Sequence, residues 1–399
     1  MRILLVTSHF YPESFKANDM AFELAKRGHD VTVLAPIPDY PQGKFFDGYG
    51  VFKKRREVVN GVKVIRTLVT PRRNGSTKWI CLNYLTHTLF STIRGIYLGL
   101  FDKFDTVLVH ETSPVMIGIP AVLVKKLMRV PMHFWVLDLW PESIEAAGRI
   151  HNKGILNIFR HLTKWMYNNS KTILISSKGF SKSINSIGNF NDRIEYFPNW
   201  IDIANNRPSP EVQDLPAGFN VMIAGNIGEA QDIPHVIEAA RILNCKSPIN
   251  FIFLGDGRRK KYIEDAISKY ELTNVYLLGR FPINYMPAFF AKADIMLLSL
   301  KDEPIFSLTV PGRLQNYMSS GKPVVAMMNG EGADLIKESD CGWSVKAEDS
   351  EGLARLLKQL AESDKSILDA KGLNGLKYSR QYFDLNKCID HLESVINSK

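Results

Sequence analysis

Short apolar runs of strand length alternate with segments of helical periodicity along the whole chain. Seven such runs lie in the first half of the sequence and five in the second. This alternation predicts an α/β fold in which mostly parallel sheets are covered by helices on both faces. The predicted strands are 3–7, 30–35, 62–68, 106–110, 132–136, 172–175 and 194–197, then 220–224, 250–254, 274–278, 294–298 and 323–326, and the predicted helices include 17–27, 115–128 and 156–166.

The chain is expected to form two domains, because 399 residues exceed what one hydrophobic core usually organises. The segment 198–218 is rich in proline and asparagine and lacks apolar periodicity, which is typical of a linker. The predicted domains are therefore 1–200 and 216–378, each a doubly wound sheet. Ligands of such sheets bind beyond the carboxyl ends of the strands, so site residues are expected in the loops that follow strands. If those ends face each other, a cleft forms between the domains.

Basic residues are concentrated in the first domain. Residues 1–200 carry 27 Lys and Arg against 15 Asp and Glu, a net +12, while the remainder carries a net −3. This asymmetry indicates an anionic partner, either nucleic acid or an acidic membrane surface. The sequence contains no RNA-binding signature and no basic ladder interleaved with aromatic residues, so lipid or a phosphate-bearing substrate is favoured and nucleic acid is not expected.

One segment, 79–101, is long and apolar enough to resemble a membrane span. Asn83, His87 and Arg94 interrupt it, and an arginine in a bilayer core costs about 2.5–3.5 kcal/mol. A buried or interfacial helix is therefore predicted. Its aromatic residues, with the basic run 53–56 upstream, fit a domain that rests on a membrane surface without crossing it.

The cysteines and the first residues indicate a cytoplasmic protein. Four cysteines are scattered without the CxxC spacing of a zinc or redox site, which is typical of reduced thiols. Met1 leads directly into a predicted buried strand, without the pattern of a signal peptide.

The stretch AGNIGEAQD, 224–232, lies where a predicted strand meets a predicted helix. A glycine turn at this position lets backbone amides approach a phosphate at a helix start. Tight turns of this kind also need glycine for purely structural reasons, and the spacing is not the GxGxxG of dinucleotide-binding proteins. The predicted phosphate-binding residues are Gly225, Asn226, Ile227 and Gly228.

Several longer motifs resemble one enzyme family. FLGDGRR (253–259), LLGRFP (277–282) and KDEPIFSLTVPGRLQNYMSSGKPVVA (301–326) are similar to the donor-binding domain of family 4 retaining glycosyltransferases, which have the two-domain GT-B fold. SHFYPES (8–14), ELAKRGHDVTVLA (23–35), PDYPQGKFFDGYG (38–50) and LDLWPESI (137–144) resemble the same family. The nearest resemblance is to WbuB-type bacterial O-antigen and capsule L-fucosamine transferases. It implies two Rossmann-like domains facing across a cleft, with a C-terminal helix, about 380–399, packing on the first domain.

The resemblance implies a set of donor-binding residues in the second domain. Glu303 matches the first glutamate of the family's E-x7-E signature, which contacts the donor sugar, and Arg313 is the expected phosphate ligand. The second glutamate is replaced, because its position falls on Asn316 beside Gln315, where an amide would hold the ribose hydroxyls less strongly. The further donor-binding residues expected from these motifs are Arg280, Phe306 and Ser307.

Residues after strands of the first domain are predicted to serve the acceptor and the chemistry. His110 resembles a cleft histidine found near the reacting sugar in related enzymes, although a histidine at a strand end is often structural. Asp138 and Glu142 could bind an acceptor hydroxyl or act as a base, or could simply cap a helix. The predicted catalytic residues are His110, Glu303 and Asp138, and the predicted acceptor-binding residues are His9, Phe10 and Glu142.

The activity implied is transfer of an N-acetylated or deoxy hexose from a UDP-sugar to a lipid-linked (polyprenyl diphosphate) or other saccharide acceptor at the inner membrane face. No cofactor or metal is expected, since the sequence lacks the Asp-x-Asp with which metal-dependent transferases hold a divalent ion. Two alternatives remain at this stage. One is a UDP-sugar epimerase of the same fold, and the other is a non-catalytic scaffold in a polysaccharide assembly complex.

Overall fold

The computed structural model describes residues 1–146, 152–201 and 210–398. The chain divides into two compact units, of which the first comprises Met1–Pro198 with Cys388–Lys399 and the second comprises Asn199–Lys387. Residues 202–209 of the predicted linker lie outside the described residues.

The first unit is built on an eight-stranded sheet with the order β3-β4-β2-β1-β5-β6-β7-β8. All neighbouring strands are parallel except β3 and β4. Its strands are β1 Arg2–Thr7, β2 Asp30–Pro36, β3 Arg56–Val59, β4 Val62–Thr67, β5 Thr106–Glu111, β6 Met132–Val136, β7 Thr172–Ile175 and β8 Ile194–Tyr196. Its helices are α1 Lys16–Lys26, α2 Thr77–Phe101, α3 Gly118–Met128, α4 Glu142–Ala146, α5 Lys153–Asn169 and α6 Phe180–Ser186.

The second unit contains a six-stranded parallel sheet with the order β11-β10-β9-β12-β13-β14. Core residues pack on both faces of this sheet, as expected for strands that are apolar throughout. Its strands are β9 Phe219–Ala224, β10 Ile249–Leu254, β11 Val275–Gly279, β12 Ile295–Ser299, β13 Val324–Met327 and β14 Gly342–Val345. Its helices are α7 Ile233–Leu243, α8 Lys260–Tyr270, α9 Met286–Lys292, α10 Pro304–Ser307, α11 Gly312–Ser319, α12 Glu331–Ser339, α13 Ser350–Ala361 and α14 Lys365–Tyr382.

The final helix, α15 (Leu385–Asn397), belongs to the first unit from Cys388 onward. Its apolar side is buried, and its acidic residues meet basic groups that follow α1. The Arg27 guanidinium contacts the Asp390 carboxylate at 2.5 Å and the Glu393 carboxylate at 2.8 Å, and His29 Nε2 lies 2.7 Å from Glu393. The Arg27–Glu393 and His29–Glu393 pairs are only partly exposed, which limits their screening by solvent, whereas the Asp390 side chain is 66% exposed.

The structure confirms the predicted fold class, and all twelve predicted strands occur. Two strands were not predicted, because both are short. The hairpin of β3 and β4 turns at Asn60 and Gly61, whose φ angles of +48° and +82° suit the Asn-Gly turns that join antiparallel strands. Strand β14 has four residues and begins with glycine. Among the described residues, no helix combines the length and apolar character that a membrane crossing requires.

His133, in the centre of the first sheet, should make that unit sensitive to acid. Burial lowers the pKa of this histidine to about 4, and Lys171 contributes in the same direction. Between pH of about 6.5 and 4, His133 is therefore protonated in the unfolded chain but stays neutral in the folded chain. The free energy of unfolding falls as the pH is lowered through this range.

Replacing His133 by glutamine removes this linkage. We expect the unfolding free energy of the native chain, relative to the His133→Gln variant, to fall by about 1.4 kcal/mol per pH unit in that window. Urea denaturation of both proteins at several pH values measures this difference. A difference that stays constant between pH of about 6.5 and 4 would contradict the assignment.

Candidate functional site

The second sheet opens at the carboxyl ends of β9 and β12. These strands are neighbours whose chain connections leave in opposite directions, which is where α/β sheets bind ligands. Their pairing stops at Met222. Beyond that point, the hydroxyl of Tyr317 in α11 makes two hydrogen bonds to Ala224. It accepts from the Ala224 amide at 2.8 Å and donates to the Ala224 carbonyl at 2.8 Å. The end of β9 is therefore held by a side chain in place of a neighbouring strand.

The glycines after β9 and β10 allow two loops to pack directly against each other. A Cβ atom on Gly255 would lie 1.9 Å from Gly225 O, and one on Gly257 would lie 2.3 Å from Ile227 O. Both glycines have positive φ angles, +148° and +158°, which other residues adopt only with strain. Glycine is thus required at 255 and 257 because the backbones of the two loops lie too close together for a side chain.

The amides of the first loop are largely engaged within the protein in this structure. Gly225 N donates to Leu254 O at 2.7 Å, and Ile227 N donates to Asp256 O at 2.9 Å. Gly228 N donates to the Gln231 side chain at 2.8 Å. These three groups already have acceptors, so a row of amides from Gly225 to Gly228 does not point at a ligand. Asn226 is the one of the four predicted residues whose amide makes no such bond in the described structure.

Arg313 brings positive charge to the same turn. It is the second residue of α11, and its guanidinium donates to Asn226 O. Its Nε atom lies 3.1 Å from the position that a Cβ on Gly225 would occupy. Gly225, with a φ angle of +115°, therefore leaves the space next to a partly exposed arginine free of any side chain. A cation beside an open glycine at a sheet switch point can bind a phosphate.

Glu303 and the residues after it follow β12, on the neighbouring side of the same opening. Glu303 immediately precedes α10 and is partly exposed, and the described structure shows no hydrogen bond to its carboxylate. Phe306 and Ser307 lie in α10 and are also partly exposed. The carbonyl oxygen of Ser307 lies close to Gly330, where an added Cβ atom would be only 2.0 Å from it. Arg280 is exposed in the loop after β11, which lies two strands from β9 in the sheet.

The two amides predicted to replace the second glutamate differ in accessibility. The Gln315 side chain is buried, with 1% exposure, and none of its amide atoms finds a partner among the described residues. Asn316 is partly exposed. Only Asn316 therefore presents an amide at the surface of α11 in this structure, and the prediction for Gln315 as a direct ligand does not fit its burial.

In the first unit, His110 lies at the corresponding switch point, between β1 and β5. Its Nδ1 atom lies 3.1 Å from Thr7 Oγ1, whose own hydrogen goes to His9 O. Nδ1 must then carry the proton, which leaves Nε2 as a buried acceptor without a described partner. Burial lowers the pKa of His110 to about 3, so the ring is neutral at physiological pH. It can accept a proton or hydrogen bond through Nε2, but it does not act as a cation.

A buried polar network that the sequence did not reveal surrounds His9. Arg72 can only donate, so His9 Nε2, at 3.2 Å, accepts from it, and His9 Nδ1 donates to Glu13 at 2.9 Å. The other Glu13 oxygen accepts from the backbone amides of Asp39 and Tyr40. His9 also stacks on Phe15 with ring centroids 4.4 Å apart. His9, Glu13, Asp39 and Tyr40 lie in the motifs SHFYPES and PDYPQGKFFDGYG, whereas for Arg72 the only sequence signal was its position after β4.

Phe10 does not fit its predicted contact with an acceptor. The ring is 1% exposed and packs edge-on against Phe22, with centroids 5.7 Å apart. It is a core residue that supports the loop after β1.

Acidic residues cluster after β5 and β6. Burial raises the pKa of Asp138, and the Ser143 hydroxyl donates to its carboxylate. Glu111 is fully buried, accepts from the Asp138 amide at 3.4 Å, and has a pKa raised well above its ordinary value by burial and by Asp138. Glu142 accepts from the Ser183 hydroxyl at 2.7 Å. Because its pKa is raised, Asp138 holds a proton more readily than an exposed aspartate does, which suits it to proton transfer.

Asp138 also borders a cavity of about 460 Å³ within the first unit. Its walls are mainly apolar and aromatic and come from α2, α5 and the loop after β6. The residues that line it include Tyr84, Trp140 and Phe159 on the apolar side and Ser113, Asp138 and Ser143 on the polar side. This arrangement could bury an apolar group of a ligand while a hydroxyl contacts the acid.

One group of side chains in the second unit could bind a metal ion. Asp232, His235 and Glu348 place ligand atoms within 4.8 Å of one another. His235 Nδ1 already lies 2.7 Å from Asp232 Oδ1, and Lys301 contributes a nearby positive charge. The expectation that the protein needs no metal stays a prediction.

Comparison with known proteins identifies both halves of the chain. Residues 16–200 match the family described as glycosyl transferase 4-like domain, and residues 212–371 match glycosyl transferases group 1. The probable glycosyltransferase WbjE of Pseudomonas aeruginosa is 26% identical over 291 residues, covering 67% of this chain and 71% of that protein. The putative colanic acid biosynthesis glycosyl transferase WcaI of Escherichia coli is 23% identical over 350 residues, covering 80% and 82%.

Solved structures show the same fold at low sequence identity. The structure of HepE from Anabaena in complex with UDP superimposes with a TM-score of 0.73 at 15% identity, and both chains are covered completely. WaaG, a glycosyltransferase involved in lipopolysaccharide biosynthesis, gives a TM-score of 0.67 at 14% identity, again over 100% of both chains. The first half of this chain matches the glycosyl transferase 4-like domain and its second half matches the group 1 glycosyl transferases. The chain is therefore a glycosyltransferase of the GT-B fold.

Proposed function

We propose that this glycosyltransferase is a retaining enzyme that transfers a sugar from a UDP-sugar to a lipid-linked saccharide during the synthesis of a bacterial surface polysaccharide. The observation that carries the proposal is Arg313 beside the open Gly225 turn at the switch point of the second sheet. The developing charge in such a transfer lies on the leaving diphosphate, and a fixed cation stabilises that charge.

The relatives support the biological context and the nucleotide. WcaI and WcaL are named for colanic acid biosynthesis and AmsK for amylovoran biosynthesis. HepE has been solved with UDP-glucose. We infer that the donor sugar is an N-acetylated or deoxy hexose, because the long motifs resemble WbuB-type transferases. Arg313 provides the charge that a metal ion would otherwise supply, so we propose that the reaction needs no divalent ion.

The exposed surface of the first unit supports a peripheral position on the cytoplasmic membrane face. Helix α2 carries an exposed apolar row, and Phe52, 97% exposed, stands at a tight turn beside Lys53 and Lys54. Apolar residues flanked by basic ones favour an interface with anionic lipid. The residues of the α2 row are Leu82, Leu85, Leu89, Ile93, Ile96, Tyr97, Leu100 and Phe101.

A nucleotide-sugar screen tests the proposed function. We expect UDP-sugars, and not GDP- or dTDP-sugars, to raise the melting temperature, since a ligand at 100 times its Kd adds about 2.7 kcal/mol of stability. We also expect slow release of UDP from the matching donor, unchanged by EDTA. Binding without release would favour a non-catalytic scaffold, and loss of release in EDTA would contradict the metal-independent mechanism.

A further inference from the structure

A second cavity of the first unit, about 490 Å³ in volume, has a charged rim and an apolar floor. It lies between the last turns of α2 and the sheet, where β1 and β2 begin. This is the opposite edge of the sheet from His110 and Asp138. The apolar residues of the floor include Ile65, Leu98 and Phe104.

Half of the eight charged residues that line the cavity are paired within the protein. The Arg2 guanidinium contacts Asp105 at 2.7 Å, and Lys63 contacts Asp30 at 2.8 Å. Glu57 is bound to the buried Arg66, also at 2.8 Å. These pairs leave the basic groups of Arg56, Arg94 and Lys103 facing the cavity, against the single carboxylate of Asp102.

Arg56 and Arg94 form the positive part of this cavity. No ion pair of either side chain occurs in the described part of the chain, and the Nε donor of Arg94 is buried there without a hydrogen-bond partner. Burial lowers the pKa of Arg94, and the charge of Arg56 lowers it further, so the two guanidinium groups repel each other. A bound anion would satisfy the unpaired donor and relieve the repulsion.

The surroundings indicate what kind of anion this is. Tyr97, on the rim, belongs to the exposed apolar row of α2, and its ring lies 4.6 Å from the Arg94 guanidinium carbon. Phe101, one turn further along α2, is 70% exposed. A free phosphate would contact only the charged groups of this cavity. A phospholipid has both a charged and an apolar part, so it would contact the basic groups as well as the apolar floor and the adjoining apolar surface.

We propose that this cavity binds the headgroup of an anionic phospholipid, with the phosphate between Arg56 and Arg94 and the adjoining glycerol over the apolar floor. The site rests on the proposed membrane-associated function and gives it a specific contact. It fixes the far end of α2 on the membrane, away from the loops of the first unit that carry His110 and Asp138.

Charge-conserving variants separate a defined site from diffuse attraction. Arg56→Lys and Arg94→Lys keep the net charge but lose the planar, two-pronged phosphate contact. We expect the double variant to bind vesicles of phosphatidylcholine with phosphatidylglycerol about tenfold more weakly than the native chain, as measured by flotation. Lys182→Arg, on the exposed face of α6, is the matched control and should bind as the native chain does.

Three further results decide the assignment. Native-like vesicle binding by the double variant would overturn the proposal, provided that its melting curve is unchanged. Protection of the native chain from heat by inorganic phosphate, with no preference for phosphatidylglycerol vesicles, would assign the cavity to free phosphate and also overturn it. UDP binding, followed by calorimetry, should be unaffected by these variants. If native protein fails to bind UDP but shows the expected lipid preference, the proposed function fails and the lipid site stands.

Discussion

Arg313→Ala is expected to lower the affinity for UDP about tenfold to hundredfold, as measured by calorimetry with UDP alone. A hydrogen bond to a charged group contributes about 1.5–3 kcal/mol, and this guanidinium is the basic group next to the open Gly225 turn. The second unit should remain folded, because the Tyr317 hydroxyl still holds the end of β9.

Glu303→Ala is expected to have the opposite pattern. The carboxylate has no hydrogen bond in the described structure. Its removal should therefore leave the UDP affinity within about twofold of the native value and the free energy of unfolding nearly unchanged. Transfer should fall on the order of 10²-fold, because a contact to the reacting sugar contributes mainly in the transition state.

The comparison of these two variants tests the roles and not only the enzyme class. Arg355→Ala is the control, since this arginine lies on α13 with a side chain that is 71% exposed. If Glu303→Ala abolished UDP binding while Arg313→Ala bound UDP normally, the assignment of phosphate and sugar contacts would be wrong, even for an active transferase.

The fold could be predicted from the sequence because its signal is local. Each parallel strand is buried on both faces and therefore appears as a run of apolar residues, such as INFIFL in β10, which is buried throughout. The β3 strand gives a weaker signal, since REVV alternates between exposed and partly buried positions at the edge of the sheet. The sequence signal for this hairpin is the Asn-Gly pair at its turn.

Two signals in the sequence indicated the site: position after a strand and resemblance to glycosyltransferase motifs. The glycine turn after a strand indicated Gly225, and the resemblance assigned roles to Glu303 and His110. Each of the three follows or ends a strand next to a switch point. The direction of an individual amide or side chain depends on tertiary contacts. Whether Gly228 N is free depends on Gln231, and whether Gln315 is accessible depends on the packing of α11, so the sequence could not decide either.

The same limit applies to the network around His9. Glu13 and Arg72 lie far apart in the chain, and no spacing rule relates them. Only the sheet order, which places β1 next to β2 and β2 next to β4, brings the loops that carry them together.

Gly255→Ala should be more damaging than Gly228→Ala, although Gly228 lies in the motif that first suggested a phosphate turn. A Cβ on Gly255 would lie 1.9 Å from Gly225 O, a backbone atom that cannot move without shifting the turn. Its φ of +148° adds strain for any other residue. We expect a loss of about 3 kcal/mol or more in unfolding free energy of the second unit, with loss of UDP binding.

Gly228→Ala meets only the ends of two side chains, Asn226 Nδ2 at 2.8 Å and Gln231 Oε1 at 2.9 Å, and its φ of −103° suits any residue. We expect UDP affinity within a few-fold of the native value, since the ends of these two flexible side chains can shift at little cost. Denaturation curves and UDP calorimetry on both variants make the comparison. Equal loss of UDP binding in two folded variants would mean that the Gly228 amide contacts the diphosphate after all, and that the turn rearranges to release it from Gln231.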